Sequence, residues 1–395
     1  MPAQITLSSD GDPPRRLLFL VTEDWYFWAH RLHLARAARD AGYAVTVATR
    51  VNTSRGRLEA EGFQIEPLSW KRGSLNPARL VADVLAIARM YRRVRPHIVH
   101  HVSLKPVVLG SLAALRNRDI VVLNALTGLG YTFTARSLRA RLLARAVRTI
   151  LRPLLLRPAT ITLLENEDDR RLMIDTIGVP AGQTAVNRGS GVDLTRFVEM
   201  PLPDGDPVTV TCAARMVGIK GIGDLVEASR LLRARNVAHH LVLAGGIDAE
   251  NPDAIAEAAL RRWARQDGVE WLGHVSDIRD VWRRTDIAVL ASLGGEGVPL
   301  SLVEAAACGR PLVATDVPGS RDIAKAGVNA LLVAPNDPPA LADALERLIR
   351  DAALRRSYAK ASRTIAESGF SSDKIAADTL GLYQRLLTAR RTTSQ

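Results

Sequence analysis

Two carboxylates stand eight positions apart in LGGEGVPLSLVEAAACG (293–309): Glu296 lies within a run of glycines and Glu304 beyond a proline. Gly294, Gly295 and Gly297 carry no Cβ, so a loop built from them can bring its N–H groups close to a ligand. If IAVLAS (287–292) is a strand, GGEG leaves its carboxyl end and Pro299 begins a helix. Glu304 then lies about one and a half turns into that helix, whose N-terminus favours an anion. A carboxylate at Glu304 can accept the paired hydroxyls of a ribose, and Glu296 can do the same for a sugar. Equally, one acid can cap the helix and the other be an exposed helix residue.

A second constellation lies upstream, in AARMVGIKGIGDLVEA (213–228), where Arg215 and Lys220 flank a glycine-bearing turn. Two cations past the end of a strand suit a diphosphate leaving group, each charge-assisted hydrogen bond contributing roughly 1.5–3 kcal/mol. The plain alternative is a pair of solvated loop cations.

These groups need strands to aim them, and the chain supplies two series. LLFLVT (17–22), AVTVATR (44–50), FQIEPL (63–68), IVHHV (98–102), VVLNAL (121–126) and ATITLLEN (159–166) are β-rich runs. They alternate with helical stretches at 28–41 and from SLNP (74–77), where Asn76 is the expected N-cap and Pro77 the first helical residue. After a linker, PLPDGDP (201–207), come VTVTCAA (208–214), HLVLAGG (240–246), VEWLG (269–273), IAVLAS, PLVATD (311–316) and ALLV (330–333), with three helices following. Alternation of this kind predicts an α/β chain with parallel sheets covered on both faces, in two Rossmann-like domains. A chain of 395 residues exceeds the ~250–300 at which one core stops growing. The expected domains are 1–200 and 201–375, with 376–395 a C-terminal helix packing back on the first. Ligands in such sheets bind beyond the carboxyl ends of the strands, so the crevice between the domains is the expected site. No G-x-G-x-x-G follows the first strand, and GIKGIG (218–223) has the wrong spacing, which disfavours a dinucleotide dehydrogenase.

Composition removes other classes. The two cysteines, Cys212 and Cys308, provide neither a disulfide framework nor a thiolate metal cluster. No run approaches the ~18 apolar residues of a membrane span, and the start lacks the apolar core of a secretory signal. The formal charge is +12, but only six of 53 basic residues are lysine, an excess of arginine that a GC-rich genome would itself produce. Basic residues interleaved with stacking aromatics are missing, so nucleic acid is not an expected partner. Residues 131–157 contain seven arginines and no acid, with Leu138, Leu142, Leu143, Ile150, Leu151 and Leu154 at helical spacing. Such a segment suits an anionic bilayer surface, with Arg139 and Arg145 among its cations. The alternative is a surface helix whose leucines pack inward.

The pattern Arg215-x4-Lys220-Gly221, Gly245-Gly246, then Glu296-Gly297-x-Pro299-x4-Glu304-Ala305-x2-Ala307-x-Gly309-x-Pro311 resembles the retaining glycosyltransferases of family four, which have the GT-B fold. The resemblance spans both halves and is most specific in the second. It is strongest to bacterial members that build cell-surface polysaccharide or lipid-linked oligosaccharide. RGSLNP (72–77), LTGLGY (126–131), GSGVDLTRF (189–197), GGIDAENP (245–252) and WLGHVSDI (271–278) also take part. The resemblance implies that Arg215 and Lys220 hold the donor diphosphate, Glu304 the ribose and Glu296 the transferred sugar. Gly297, Val298, Pro299 and Leu300 would lie along the donor with Gly245 and Gly246, and the base near His274 and Val275. It also implies a metal-independent enzyme, so DGD (204–206) reads as a turn of the linker.

The first half departs from the family pattern. Many relatives carry His-x-His where this chain has His100, His101 and Val102, so the second histidine of that pattern is missing and His101 does not take its place; His100 is the catalytic candidate, the alternative being a structural histidine at a strand end. The first-strand loop is TEDWYFWAHR (22–31) rather than glycine-rich, and its Trp25, Tyr26, Phe27 and Trp28 could form a platform for a lipid or acceptor, or could pack into the core. Trp25, Trp28, His30, Arg31, Lys105 and Gly128 are the acceptor-side expectations. The resulting expectation is a monotopic enzyme on the cytoplasmic face of the inner membrane, moving a hexose or N-acetylhexosamine from a UDP-sugar to a polyprenyl-diphosphate-linked or other glycan acceptor. No cofactor is expected beyond that nucleotide-sugar substrate. A soluble transferase with a small acceptor, an epimerase or hydrolase on a similar scaffold, and a non-catalytic scaffold are the rivals.

Overall fold

The computed structural model describes residues 14–52, 54–70, 76–117, 119–128, 149, 151–203 and 205–393, without the side chains of 391–393. It divides into two compact units, one comprising residues up to Ser190 together with Ser372 onward, the other Gly191–Ser371. The chain thus leaves the first unit at 190, not at 200. Val192 and Phe197 belong to the core of the second unit, and the Val192 N–H donates to the Phe370 carbonyl at 2.8 Å. Both crossings are tied together there.

The first unit is a parallel sheet in the order β3-β2-β1-β4-β5-β6-β7. Its strands are β1 (Arg16–Glu23), β2 (Ala44–Arg50), β3 (Gln64–Pro67), β4 (Ile98–Val102), β5 (Val121–Leu126), β6 (Thr160–Leu164) and β7 (Thr184–Val186). The period of two in β1 sends Leu17, Phe19 and Val21 to one face and Leu18 and Leu20 to the other, each into its own core. Helices α4 (Pro77–Val94) and α5 (Leu104–Ala114) cover the second face. Asn76 caps α4 as expected, its side chain accepting from the Arg79 N–H at 3.3 Å, with Pro77 at the first position. The stretch 28–41 is not one helix but two, α1 (Asp24–His30) and α2 (Leu32–Asp40). The break at Arg31 turns its guanidinium inward against Glu165 at 3.4 Å, since a buried cation needs a partner. A short α3 (Arg55–Ala60) precedes β3, and α6 (Glu167–Leu172) follows β6.

The second unit is also parallel, ordered β10-β9-β8-β11-β12-β13. It comprises β8 (Val208–Ala213), β9 (His239–Ala244), β10 (Val269–Gly273), β11 (Ile287–Leu290), β12 (Leu312–Thr315) and β13 (Ala330–Val333). Between them lie α7 (Ile222–Ala234), α8 (Glu257–Trp263), α9 (Ile278–Arg283), α10 (Leu300–Ala307) and α11 (Ser320–Ile323). Three helices close the chain: α12 (Pro338–Arg350), α13 (Ala352–Gly369) and α14 (Ser372–Thr393). The last returns to the first unit, where Ala376, Leu380, Leu382, Tyr383 and Leu386 join the core beside α2. Among the described residues no helix is long and apolar enough to cross a membrane.

Candidate active site

In the second sheet the strand order reverses between β8 and β11, because later strands add outward on either side of that pair. Crevices of this kind open at the carboxyl ends of the strands, where connections diverge. Lys220 and Glu296 meet at this point. Past β8 the chain makes a single 3-10 turn, Gly218–Lys220, and past β11 it forms the glycine loop. Lys220 Nζ donates to Glu296 Oε1 at 2.5 Å, and the Ser292 hydroxyl donates to the same oxygen at 2.9 Å. Both side chains are mostly enclosed, Lys220 at 16% and Glu296 at 14% exposure.

Backbone contacts lock the two loops together. The Leu293 N–H donates to the Ile219 carbonyl at 2.8 Å, and the Thr315 hydroxyl holds the Ser292 carbonyl at 2.5 Å. Asp253 fastens the turn from the other side by accepting the Ile219 N–H at 2.6 Å. Gly221 ends the turn with φ +66, and a Cβ there would lie 1.8 Å from the Ala291 carbonyl oxygen, so no other residue fits. Gly319 does the equivalent for Gly297, whose carbonyl oxygen lies 1.8 Å from where its Cβ would stand.

Arg215, at the end of β8, is exposed at 43% and donates from Nη1 to Asp248 at 2.5 Å. Gly245 and Gly246 follow β9; the Gly246 carbonyl accepts the Met216 N–H at 3.0 Å and the Gly245 carbonyl the Trp271 indole at 3.0 Å. Gly246 stands directly against His274, which is exposed, and Val275 is half-buried beside it. Gly297, Val298 and Pro299 are buried and Leu300 half-buried at the start of α10. Glu304 follows in α10, mostly enclosed with a strip of surface left open. Burial pushes its carboxyl up to about 8, opposed by the Trp282 indole and Arg196. The Trp282 Nε1 has no hydrogen-bond partner among the described residues. The second unit therefore gathers every donor-side residue that the sequence singled out along the carboxyl edge of one sheet. Ser292, Asp248, Asp253, Thr315 and Gly319 were not singled out; hydroxyls at strand ends are the signal that could have found Ser292 and Thr315.

The first-unit expectations fare differently. His100 is only 1% exposed; its Nδ1 lies 2.6 Å from the Tyr383 hydroxyl on α14, and burial lowers its basicity well below the ordinary range. Its Nε2 has no hydrogen-bond partner among the described residues, and the ring lines a small cavity with Arg31 and Glu165. His101 points to the other face, held between Asn124 at 2.7 Å and Tyr91 at 2.8 Å, with its pKa pushed down by burial to about 4. Arg31 is likewise internal, whereas Trp25 is exposed and Phe27 belongs to the core. Trp28 lies 3.8 Å beneath the Arg57 guanidinium, and His30 stacks on Tyr26 and meets Ser190 at 2.9 Å. Lys105 is half-buried 5.7 Å from the Trp70 ring centre, burial lowering its pKa, and Gly128 is half-buried. Arg139 and Arg145 lie outside the described residues, as do Leu138, Leu142, Leu143, Ile150 and Asp204. Where the arginine segment is described, Leu151 and Leu154 are buried and pack inward.

The family model described as "Glycosyl transferases group 1" matches residues 207–351, and "Glycosyl transferase 4-like" matches 16–155. The chain is similar to the N,N'-diacetylbacillosaminyl-diphospho-undecaprenol alpha-1,3-N-acetylgalactosaminyltransferase of Campylobacter jejuni, with 24% identity over 94% of this chain and 99% of that protein. It is 30% identical to the putative colanic acid biosynthesis glycosyltransferase WcaL of Salmonella typhimurium over 45% of each. Among solved structures, sucrose-phosphate synthase of Thermosynechococcus elongatus superposes with a TM-score of 0.78, at 20% identity, over 95% of this chain and 100% of that one. HepE of Anabaena with UDP and glucose does so at 0.77 and 19% identity, over 94% of this chain and 100% of that one.

Proposed function

Since the chain belongs to the family-four-like glycosyltransferases of GT-B fold, matched in both halves, we propose that it is a retaining enzyme that transfers a hexose or N-acetylhexosamine from a UDP-sugar to a polyprenyl-diphosphate-linked glycan acceptor. Its place is the assembly of cell-surface polysaccharide, at the cytoplasmic face of the membrane. The Campylobacter relative carries a diphospho-undecaprenol acceptor in its name, and HepE was solved with UDP. The single observation that carries the reading is the Lys220–Glu296 pair at the reversal point of the second sheet, with Arg215 past the end of the same strand as Lys220.

Chemically, the arrangement pairs each cation with a carboxylate that a diphosphate can replace. Arg215 leaves Asp248 for the donor phosphates, and Lys220 is shared between them and Glu296. As the bond from the anomeric carbon to the leaving phosphate breaks, negative charge grows on that phosphate, and two fixed cations favour this state over the ground state. The acceptor oxygen forms its bond on the same face, and its proton passes to the departing phosphate oxygen. Glu296 holds sugar hydroxyls and Glu304 those of the ribose; no covalent intermediate and no divalent metal takes part.

UDP release with and without a lipid-linked acceptor tests this. Acceptor-dependent release that survives chelation and is lost in Arg215→Gln/Lys220→Gln is expected. Release without acceptor would mean hydrolysis, and none at all a scaffold. A glycosyl adduct trapped on Glu296 would overturn the same-face step.

A further inference from the structure

At the opposite, amino edge of the first sheet, an open groove of about 610 Å³ is lined by Arg16, Arg92, Arg95, His97 and Arg390. These come from the start of β1, the end of α4, the approach to β4 and the last turns of α14. We propose that this groove is a binding site for a phosphate group, separate from the donor site.

The groove is built from fixed parts. Arg95 takes a left-handed backbone (φ 49) where α4 ends, its N–H donating to the Tyr91 carbonyl at 2.9 Å. Its own carbonyl accepts from Arg16 Nε at 2.7 Å, which orients that guanidinium. The Arg16 N–H donates to His97 Nδ1 at 2.9 Å, so the neutral ring carries its proton on Nε2 and offers a further donor. The acid at the rim, Asp119, is taken by Arg390, through its carbonyl and through its carboxylate at 2.7 Å. Arg92 and Arg95 form no side-chain hydrogen bond or ion pair among the described residues, and both are exposed.

The carbonyl end of α4 accounts for cations at Arg92 and Arg95. It does not account for Arg16 and Arg390, which reach the same groove from other elements. Burial and the charges of Arg16, Arg390 and Arg15 all hold His97 below its ordinary range, as a positive field requires. A tetrahedral anion satisfies guanidinium forks and an imidazole donor together. The anion can be a lipid headgroup or free phosphate.

The test uses the full chain carrying Arg215→Gln/Lys220→Gln, so that the donor-side cations are silent, with and without Arg92→Gln/Arg95→Gln. Two probes are read: co-sedimentation with phosphatidylcholine vesicles containing phosphatidic acid, and the thermal shift given by inorganic phosphate. Removing both arginines is expected to weaken vesicle binding about 30-fold, or to abolish the phosphate shift if the natural source is soluble. Either loss supports the site and names its source. Equal responses to both probes with and without the arginines would overturn it. Arg92→Glu, at an exposed helix position, serves if the double change fails to fold.

Discussion

Glu304 is a carboxylic acid held mostly out of water, and its protonation is tied to stability. Its pKa in the folded protein is about 8, against 4.5 for the ordinary group. The folded state therefore keeps a proton that the unfolded chain has released between those values. Its stabilising effect is present in full below about 4.5 and is lost as pH rises through 8. The melting temperature of the wild type should fall by about 10 °C across that window relative to Glu304→Gln, which should show no such trend. Calorimetric melts at several pH values check this. Ser292 is the second residue with a readable role. Its hydroxyl fixes the oxygen of Glu296 that Lys220 also holds. Ser292→Ala removes one hydrogen bond to a charged group and should lower kcat about tenfold with little change in KM for the donor, read by steady-state kinetics.

The elements that carry these side chains are short turns pressed against strand ends, and their tolerance is small. Gly221→Ala puts a methyl group into the Ala291 carbonyl, so the Gly218–Lys220 turn must move and Lys220 with it. Activity should drop by about 100-fold or more while the circular dichroism spectrum stays α/β; unchanged turnover would mean the turn does not position Lys220. At this scale the sequence was largely readable. Apolar runs marked twelve strands within a residue or two, Asn76 and Pro77 marked the start of α4, and the glycines around Glu296 marked a close backbone approach. β7 escaped because Thr184–Val186 is too short to show a period. The break at Arg31 escaped because its cause is Glu165, far along the chain. The same reason hid Asp248 and Asp253: partners separated by more than thirty positions leave no local pattern. His100 was singled out by the family's His-x-His pattern, and its partner Tyr383, on a helix 283 positions further along, was not legible from that pattern.

For the whole molecule, the division between units is asymmetric. Gly191–Ser371 is one continuous stretch closed by the Val192–Phe370 bond, whereas the first unit needs both ends of the chain. Residues 191–371 expressed alone should melt cooperatively and gain thermal stability from UDP; an insoluble or UDP-indifferent fragment would contradict this. A chain ending at Ser371 should lose the first unit's cooperative melt, because the three buried leucines of α14, each contributing about 1.5–3 kcal/mol, would be missing together with Tyr383 and Ala376. The late position of that helix also has a meaning during synthesis. As the polypeptide leaves the ribosome, the second unit can finish while the earlier one still exposes oily surface around α2, waiting for its cover. A nonsense codon anywhere before Tyr383 would leave that surface bare, and the interval until α14 has emerged is when a chaperone has the most to shield.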